Sequence, residues 1–249
     1  MAELMSDPER ARARAELTVI FDFDGTLADT ETPIYERARL AALALGAELT
    51  TELWGTHAVG RSEAEDWWPE LAPALGLTLD RASFDRARDE VDIPLSRDTA
   101  ELTAGARHLV EDLATSGARL AVASGSPRAW LVHHLGRFDL IGHFEALVGV
   151  DHPSVMSGKP RPDIYLAACA ELRVDPATVV AVEDTTRGVA AARAAGIGAV
   201  VAVPNLLTVH HDLSAADLLV ETLAALTPAD LSALGRRPSR TDGSGAPHS

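Results

Sequence analysis

Short runs of apolar and β-branched residues alternate along this chain with stretches in which apolar residues recur at helical spacing. Runs of this kind are typical of strands buried on both faces of a parallel sheet. The predicted strands are Leu17–Phe21, Arg119–Ala123, Ala146–Val150, Thr178–Val182, Ala199–Val203 and Leu218–Val220. Helical patterns stand between most of them, as in Ala104–Ser116, Asp163–Arg173 and Arg187–Ala195. The alternation predicts an α/β fold, with a Rossmann-like parallel sheet flanked by helices.

One long stretch departs from this alternation. Between Thr30 and Thr99 there are helical patterns at Ile34–Leu45, Glu63–Leu71 and Ser83–Val91, but no strand pattern. This indicates an inserted all-helical domain, large enough to cover a site at the edge of the sheet. We therefore predict a core of residues 17–29 and 100–234, a helical insertion of residues 30–99, an N-terminal extension of residues 1–16 and a disordered tail of residues 235–249.

The charge of the chain limits its partners. A formal net charge of −15 repels the phosphate backbone of nucleic acids and anionic lipid surfaces, so neither is an expected partner. An anionic substrate would need local cations or a bound metal to attract it, because distant charges are screened. No apolar run is long enough to span a membrane and no signal peptide is recognisable, so we expect a cytoplasmic protein.

Polar side chains follow four of the predicted strands. In open α/β sheets, ligands bind outside the carboxyl ends of the strands, so these side chains are expected to meet. Several carboxylates in one small volume cannot all ionise without a cation. Ligation by oxygen alone favours a hard divalent ion, and Mg²⁺ is the expected cofactor. In chain order the groups are Asp22, Asp24 and Thr26, then Ser124, Gly125 and Ser126, then Lys159, and finally Glu183 and Asp184.

Lys159 is the only lysine among 22 lysine and arginine residues. A compact ammonium beside an acidic metal pocket can hold a phosphoryl group, because metal and ammonium both neutralise its oxygens. One aspartate can attack phosphorus, and another, two residues further on, can protonate the leaving oxygen and later activate water. The hydroxyls of Thr26, Ser124 and Ser126 can donate hydrogen bonds to the transferring group.

Four segments, read in order, resemble the motifs of one family. They are DFDGTLAD, VASGS, GKPRPDIY and VEDTTRGVAAARAAG. Together they are similar to the haloacid dehalogenase superfamily, in its phosphatase and β-phosphoglucomutase-like branch with a small helical cap. The resemblance implies that the helical insertion is this cap, which closes over the site in the core. It also implies a hydrolase that releases phosphate from a small phosphorylated metabolite, such as a sugar phosphate, through an aspartyl-phosphate. A compact core with its cap can work alone, so a monomer is expected.

The resemblance also implies a role for each motif residue. Asp22 would be the nucleophile and a metal ligand, and Asp24 the acid and base, with its backbone carbonyl on Mg²⁺. Ser124, with Gly125 and Ser126 beside it, would bind phosphate. Lys159 would be the charge clamp. Glu183 and Asp184 would support the metal. In the cap, Gly60-Arg61-Ser62 lies where similar proteins place a substrate-contacting loop, so Arg61 is a candidate substrate ligand. Trp67 and Trp68 are expected to pack the cap.

Two other functions remain open from the sequence. A β-phosphoglucomutase-like isomerase would resemble this chain in its core, but such mutases add a histidine early in the first cap helix and a lysine in the cap. Ile34 stands at the first of these positions here, and residues 30–99 contain no lysine, so hydrolysis is favoured. A non-catalytic phosphate-binding module is the other alternative. The intact pair of Asp22 and Asp24 argues against it, since a binder gains little from a nucleophile and a matched proton donor.

Overall fold

A parallel sheet forms the centre of the protein. The computed structural model describes residues 17–61, 66–94 and 99–236. Its strands are β1 (Thr18–Phe21), β2 (Ala28–Asp29), β3 (Glu101–Leu102), β4 (Arg119–Ala123), β5 (Ala146–Val148), β6 (Val179–Glu183), β7 (Ala199–Ala202) and β8 (Leu218–Leu219). Six of them form one sheet in the order β5-β4-β1-β6-β7-β8, with every pairing parallel. These are the six predicted strands, so the predicted α/β fold is confirmed.

Helices cover both faces of this sheet and build the insertion. They are α1 (Glu31–Ala44), α2 (Thr51–His57), α3 (Trp68–Ala74), α4 (Arg81–Asp89), α5 (Ala106–Ser116), α6 (Arg128–Arg137), α7 (Asp163–Leu172), α8 (Thr186–Ala194) and α9 (Pro228–Gly235). No helix within the described ranges is long and apolar enough to cross a membrane. The sequence patterns do not include α2, α6 and α9. Two of these have start signals, because Thr50 caps α2 and Thr227 forms a capping box at α9.

Alternate residues of the central strands enter two separate apolar layers. Val19 and Phe21 of β1 pack with residues of α5, α6 and α9, whereas Ile20 packs with residues of α7 and α8 on the opposite face. Successive side chains of a strand point to opposite faces, so both layers draw on the same strands. The sheet is therefore buried on both sides. Its carboxyl-terminal edge is the place where polar groups can collect.

The helical insertion has an apolar cluster of its own. Trp67 packs against Trp54 with ring centroids 5.4 Å apart, and Trp68 packs against Phe84 at 4.7 Å. All four rings are buried, which confirms that the tryptophan pair packs the cap. Leu207, from the loop after β7 of the core, belongs to the same cluster. The cap therefore rests on the core next to the carboxyl end of β7.

The two chain crossings between core and cap lie side by side. β2 and β3 pair antiparallel, with Ala28 opposite Leu102 and Asp29 opposite Glu101. The predicted domain limits near residues 30 and 99 stay predictions. Gly235, predicted as the start of the tail, is the last residue of α9. The other tail residues from 237 onward, and the predicted extension of residues 1–16, lie outside the described residues.

Candidate active site

The three central strands bring the first, second and fourth motifs together. β1 lies between β4 and β6 in the sheet, so their carboxyl ends are adjacent. Asp22 directly follows β1, and its backbone N–H donates to the carbonyl of Val182 at 2.9 Å. Ser124 directly follows β4, while Glu183 is the last residue of β6. Both acids and the serine are buried, and they lie at one edge of the sheet, where these groups were predicted to meet.

A turn at Gly25 brings the first and fourth motifs into close approach. Gly25 has a φ of 87°, in the left-handed region that favours glycine. A Cβ atom at this position would lie 2.3 Å from Asp184 Oδ2 and 2.8 Å from the amide nitrogen of Asn205. Only a residue without a side chain therefore allows the turn after Asp24 to reach this carboxylate. This close contact explains why glycine directly follows Asp24 in the first motif.

Lys159 joins the first and fourth motifs. Its Nζ lies 2.5 Å from Asp22 Oδ1 and 2.5 Å from Glu183 Oε1. The guanidinium of Arg187 donates to the backbone carbonyl of Lys159, which ties its loop to the start of α8. Burial opposes the charge of this ammonium, but the carboxylates of Asp22 and Glu183 outweigh that effect and raise the pKa of Lys159. Lys159 is therefore a charged bridge between two carboxylates.

Glu183 is held by protein donors on both of its oxygens. Its Oε1 accepts from Lys159 and also from the hydroxyl of Tyr165 at 2.7 Å, and its Oε2 accepts from the N–H of Asp184 at 3.3 Å. The side chain is fully buried. Gly188 packs against it so closely that a Cβ would lie 1.9 Å from Oε2. The sequence analysis did not single out Tyr165; its place in the third motif was the available signal.

Asp22, Glu183 and Asp184 form a buried group that could hold a metal ion, with one ligand atom from each lying within 4.8 Å of the others. Burial, with the neighbouring carboxylates, raises the pKa of Asp22 to about 7 although Lys159 lowers it, and raises the pKa of Asp184 well above its usual value. Lys159 alone does not compensate these charges. A hard divalent cation fits this set of oxygen ligands.

Two further side chains support Asp184. Its Oδ1 accepts from the hydroxyl of Thr26 at 3.3 Å, and its Oδ2 accepts from the side-chain amide of Asn205 at 2.7 Å. Asn205 also donates to the carbonyl of Gly25, while its Oδ1 accepts from the N–H of Leu207. Sequence analysis missed Asn205. Its position just beyond the predicted strand Ala199–Val203 was a usable signal.

Asp24 accepts four hydrogen bonds from side chains. Its Oδ2 accepts from the hydroxyls of Ser124 at 2.9 Å and Ser126 at 2.7 Å. Its Oδ1 accepts from the hydroxyl of Thr30 at 2.7 Å and from the indole N–H of Trp130 at 2.9 Å. The two serines predicted to bind phosphate therefore face the predicted acid in this structure. Sequence analysis missed Thr30 and Trp130.

The backbone beside these serines is open. A Cβ at Gly125 would meet nothing within 4 Å, and Gly125 is exposed. The N–H of Ser126 donates to the hydroxyl of Ser124 at 2.9 Å, which fixes the turn. There is room for a ligand on this side of the loop.

The cap contributes one turn and one acid near the site. A Cβ at Gly60 would lie 3.4 Å from Cγ2 of Thr185, the residue that follows Asp184. Arg61 itself donates to both carboxylate oxygens of Glu70, at 3.1 and 2.5 Å, so its contact with substrate stays a prediction. Glu31 opens α1, and burial with the nearby charges of Asp24 and Asp29 raises its pKa to about 8. Sequence analysis did not find Glu31.

Comparison with known proteins supports the motif assignment. A model of the haloacid dehalogenase-like hydrolases matches residues 17–196. Hexitol phosphatase B of Escherichia coli K12 is 33% identical over 225 residues, which cover 88% of this chain and 97% of that protein. The phosphorylated carbohydrates phosphatase of Thermotoga maritima is 33% identical, over 76% of this chain and 86% of that protein. CbbY of Rhodobacter sphaeroides, solved in complex with phosphate, has a TM-score of 0.60 and 26% identity, over 83% of this chain and 94% of that one. The resemblance carried by the four motifs is confirmed, and the chain belongs to the haloacid dehalogenase-like hydrolases.

Proposed function

We propose that this hydrolase is a Mg²⁺-dependent phosphatase that releases phosphate from a small phosphorylated carbohydrate. The observation that carries the proposal is the bridge from Lys159 to Asp22, 2.5 Å long, inside a buried group of carboxylates. A nucleophile with a fixed cation beside it is suited to a phosphoryl group. The relatives named as phosphatases of hexitols and of phosphorylated carbohydrates support this substrate class.

The first step transfers the phosphoryl group to Asp22. A carboxylate oxygen of Asp22 attacks phosphorus as the bond from phosphorus to the sugar oxygen breaks. Asp24 gives its proton to that leaving oxygen, so the sugar departs as a neutral alcohol. Lys159 holds Oδ1 of Asp22 and thereby fixes the rotation of the nucleophilic carboxylate. The product of this step is an aspartyl-phosphate.

The second step returns Asp22 to its starting state. Asp24, now a carboxylate, takes a proton from water as the water oxygen attacks phosphorus and the bond to Asp22 breaks. Free phosphate leaves, and Asp24 holds the proton that the next cycle needs. Asp24 stands two residues from Asp22 on the same turn, so one side chain can serve both steps.

Mg²⁺ would be held by the carboxylates of Asp22 and Asp184, with Glu183 and the backbone carbonyl of Asp24 in support. When bound, it neutralises charge on the phosphoryl oxygens. The chain's own donors orient the group. The hydroxyls of Ser124 and Ser126 can rotate from Asp24 to phosphoryl oxygens, and Thr26 can do so from Asp184. One core with its cap supplies the groups that these two steps use, and we propose that the protein acts as a monomer.

A panel of phosphorylated metabolites at fixed Mg²⁺ tests this function. Free phosphate and isomerised product are scored separately, and Asp22→Asn protein purified in the same way is the control for contaminating phosphatases. We expect phosphate from sugar or hexitol phosphates with the wild-type protein, none with Asp22→Asn, and loss of activity in EDTA that added Mg²⁺ restores. Isomer without phosphate would establish the mutase instead. Absence of both products over a wide panel would refute the proposal and favour a binding module.

A further inference from the structure

Asp24 has four donors of two chemical kinds. A carboxylate has about four acceptor positions, and all four are used here. The hydroxyls of Thr30, Ser124 and Ser126 can each donate or accept, so they can adapt to either protonation state of their partner. The indole N–H of Trp130 can only donate. Oδ1, which accepts from Trp130, is therefore the oxygen least suited to carry a proton.

Trp130 is fixed by the segment that carries the catalytic acids. It lies in the first turn of α6, and its ring meets the ring of His134, one turn further on, with centroids 4.2 Å apart at an angle of 64°. His134 is fully buried, and its ring lies 5.9 Å from that of Phe23. Phe23 stands between Asp22 and Asp24 in the chain. The indole and the carboxylate that it contacts are thus positioned by one packed unit.

We propose that Trp130 is a positioning residue that reserves Oδ1 of Asp24, so that Oδ2 is the oxygen that exchanges the proton with the leaving group. The inference rests on the proposed phosphatase function. Oδ2 faces Ser124 and Ser126, the two hydroxyls proposed to turn toward the phosphoryl group. When they turn, Oδ2 is freed for the proton while Trp130 and Thr30 still hold Oδ1 in place.

The dependence of turnover on the leaving group tests this role. An alkyl phosphate releases a strongly basic oxygen that needs the proton of Asp24, whereas 4-nitrophenyl phosphate releases a stabilised anion that does not. Trp130→Phe keeps an aromatic ring and removes only the donor. The parameter compared is kcat/KM, because it reports the steps up to release of the leaving group and excludes hydrolysis of the aspartyl-phosphate.

We expect Trp130→Phe to lower kcat/KM about tenfold or more on glucose 6-phosphate, or on the alkyl phosphate that the wild-type protein hydrolyses best, as for loss of a hydrogen bond to a charged group. On 4-nitrophenyl phosphate the change should stay within about twofold, since proton donation contributes little there. Trp68→Phe is the matched control. It removes an indole N–H whose hydrogen bond has a similar length, 3.0 Å to the carbonyl of Leu79, inside the cap cluster. This variant should leave kcat/KM unchanged on both esters.

Equal losses on both esters, or no loss on either, would overturn the inference. A second variant, Trp130→His, keeps a ring N–H at this position and should recover part of the activity on the alkyl phosphate relative to Trp130→Phe. Recovery on both esters alike would indicate a role in folding only and would also overturn it. Failure of the proposed function has a different signature, because the wild-type protein would then release phosphate from neither ester.

Discussion

Replacing Gly188 with alanine should damage both stability and activity, although the same change in a helix normally stabilises. Gly188 lies in α8, where alanine is intrinsically better than glycine by about 0.5–1 kcal/mol. Its added Cβ, however, would lie 1.9, 2.0 and 2.2 Å from the three carboxyl atoms of Glu183. Contacts this short cannot be relieved without moving the carboxyl group from its buried position.

The cost follows from what Glu183 holds. Its Oε1 accepts from Lys159 at 2.5 Å and from Tyr165 at 2.7 Å. Each hydrogen bond to a charged group is worth about 1.5–3 kcal/mol. Loss or weakening of both, less the gain in helix propensity, lowers the free energy of unfolding by about 2–4 kcal/mol. For a chain of this size that shifts the melting temperature down by about 5–15 °C. Lys159 also loses one of its two partners, so kcat/KM should fall at least about tenfold.

The matched control is Gly136→Ala in α6. A Cβ at Gly136 would meet nothing within 4 Å, and the residue is exposed, so only the helix propensity changes. This variant should be about 0.5–1 kcal/mol more stable than wild type, with unchanged activity. Urea unfolding followed by circular dichroism, together with phosphate release, measures both effects. If Gly188→Ala were as stable and as active as Gly136→Ala, the close packing against Glu183 would not exist in solution.

Three further changes test other parts of the site. Lys159→Arg should lower kcat at least about tenfold, because a planar fork cannot replace a compact ammonium 2.5 Å from both Asp22 and Glu183; steady-state phosphate release with kcat near the wild-type value would contradict this. Tyr165→Phe removes the hydroxyl on Glu183 and should lower the free energy of unfolding by about 1–3 kcal/mol in urea titrations, and an unchanged midpoint would argue against that bond. In EDTA, the folded protein holds a proton on Glu31 that the unfolded chain releases at lower pH, because folding raises this pKa from 4.5 to about 8. The free energy of unfolding should therefore fall as the pH rises through this window, and less steeply in Glu31→Gln; identical slopes would show that Glu31 is not in this environment.

The sequence predicted the residues at the strand ends well for a physical reason. Parallel strands that are neighbours in a sheet end at one edge, so Asp22, Ser124 and Glu183 had to come close once β4, β1 and β6 were adjacent. The order of the motifs along the chain shows which predicted strand each of these residues follows. Lys159 lies in a loop and not at a strand end. A buried ammonium needs charged partners, and the acids at the strand ends supply them, which is why this lysine could be placed beside them.

Residues that reach the site from a helix or from packing could not be predicted in the same way. Trp130 lies in the first turn of α6, a few residues after Ser126, but its own segment does not show that the indole turns toward Asp24. Gly55 stands inside α2 for a reason that lies far along the chain, since a Cβ there would lie 2.0 Å from the carbonyl oxygen of Leu207. Such residues depend on how the cap and the helices pack. The local sequence of a helix does not show how that helix packs against the rest of the protein.

The two aspartates of the first motif have the same side chain but different surroundings, and this difference bears on the roles that we propose for them. Asp22 is paired with the charged Lys159 and belongs to a buried acidic group whose burial raises its pKa to about 7. Its negative charge is therefore favoured when a further cation is bound, as Mg²⁺ would be in the proposed reaction. Asp24 has instead three hydroxyls and one indole around it, which hold its carboxylate in one orientation without neutralising it. Asp22 therefore needs a further cation before it can act as the proposed nucleophile, whereas the donors around Asp24 hold its carboxylate in place for the proposed proton transfer.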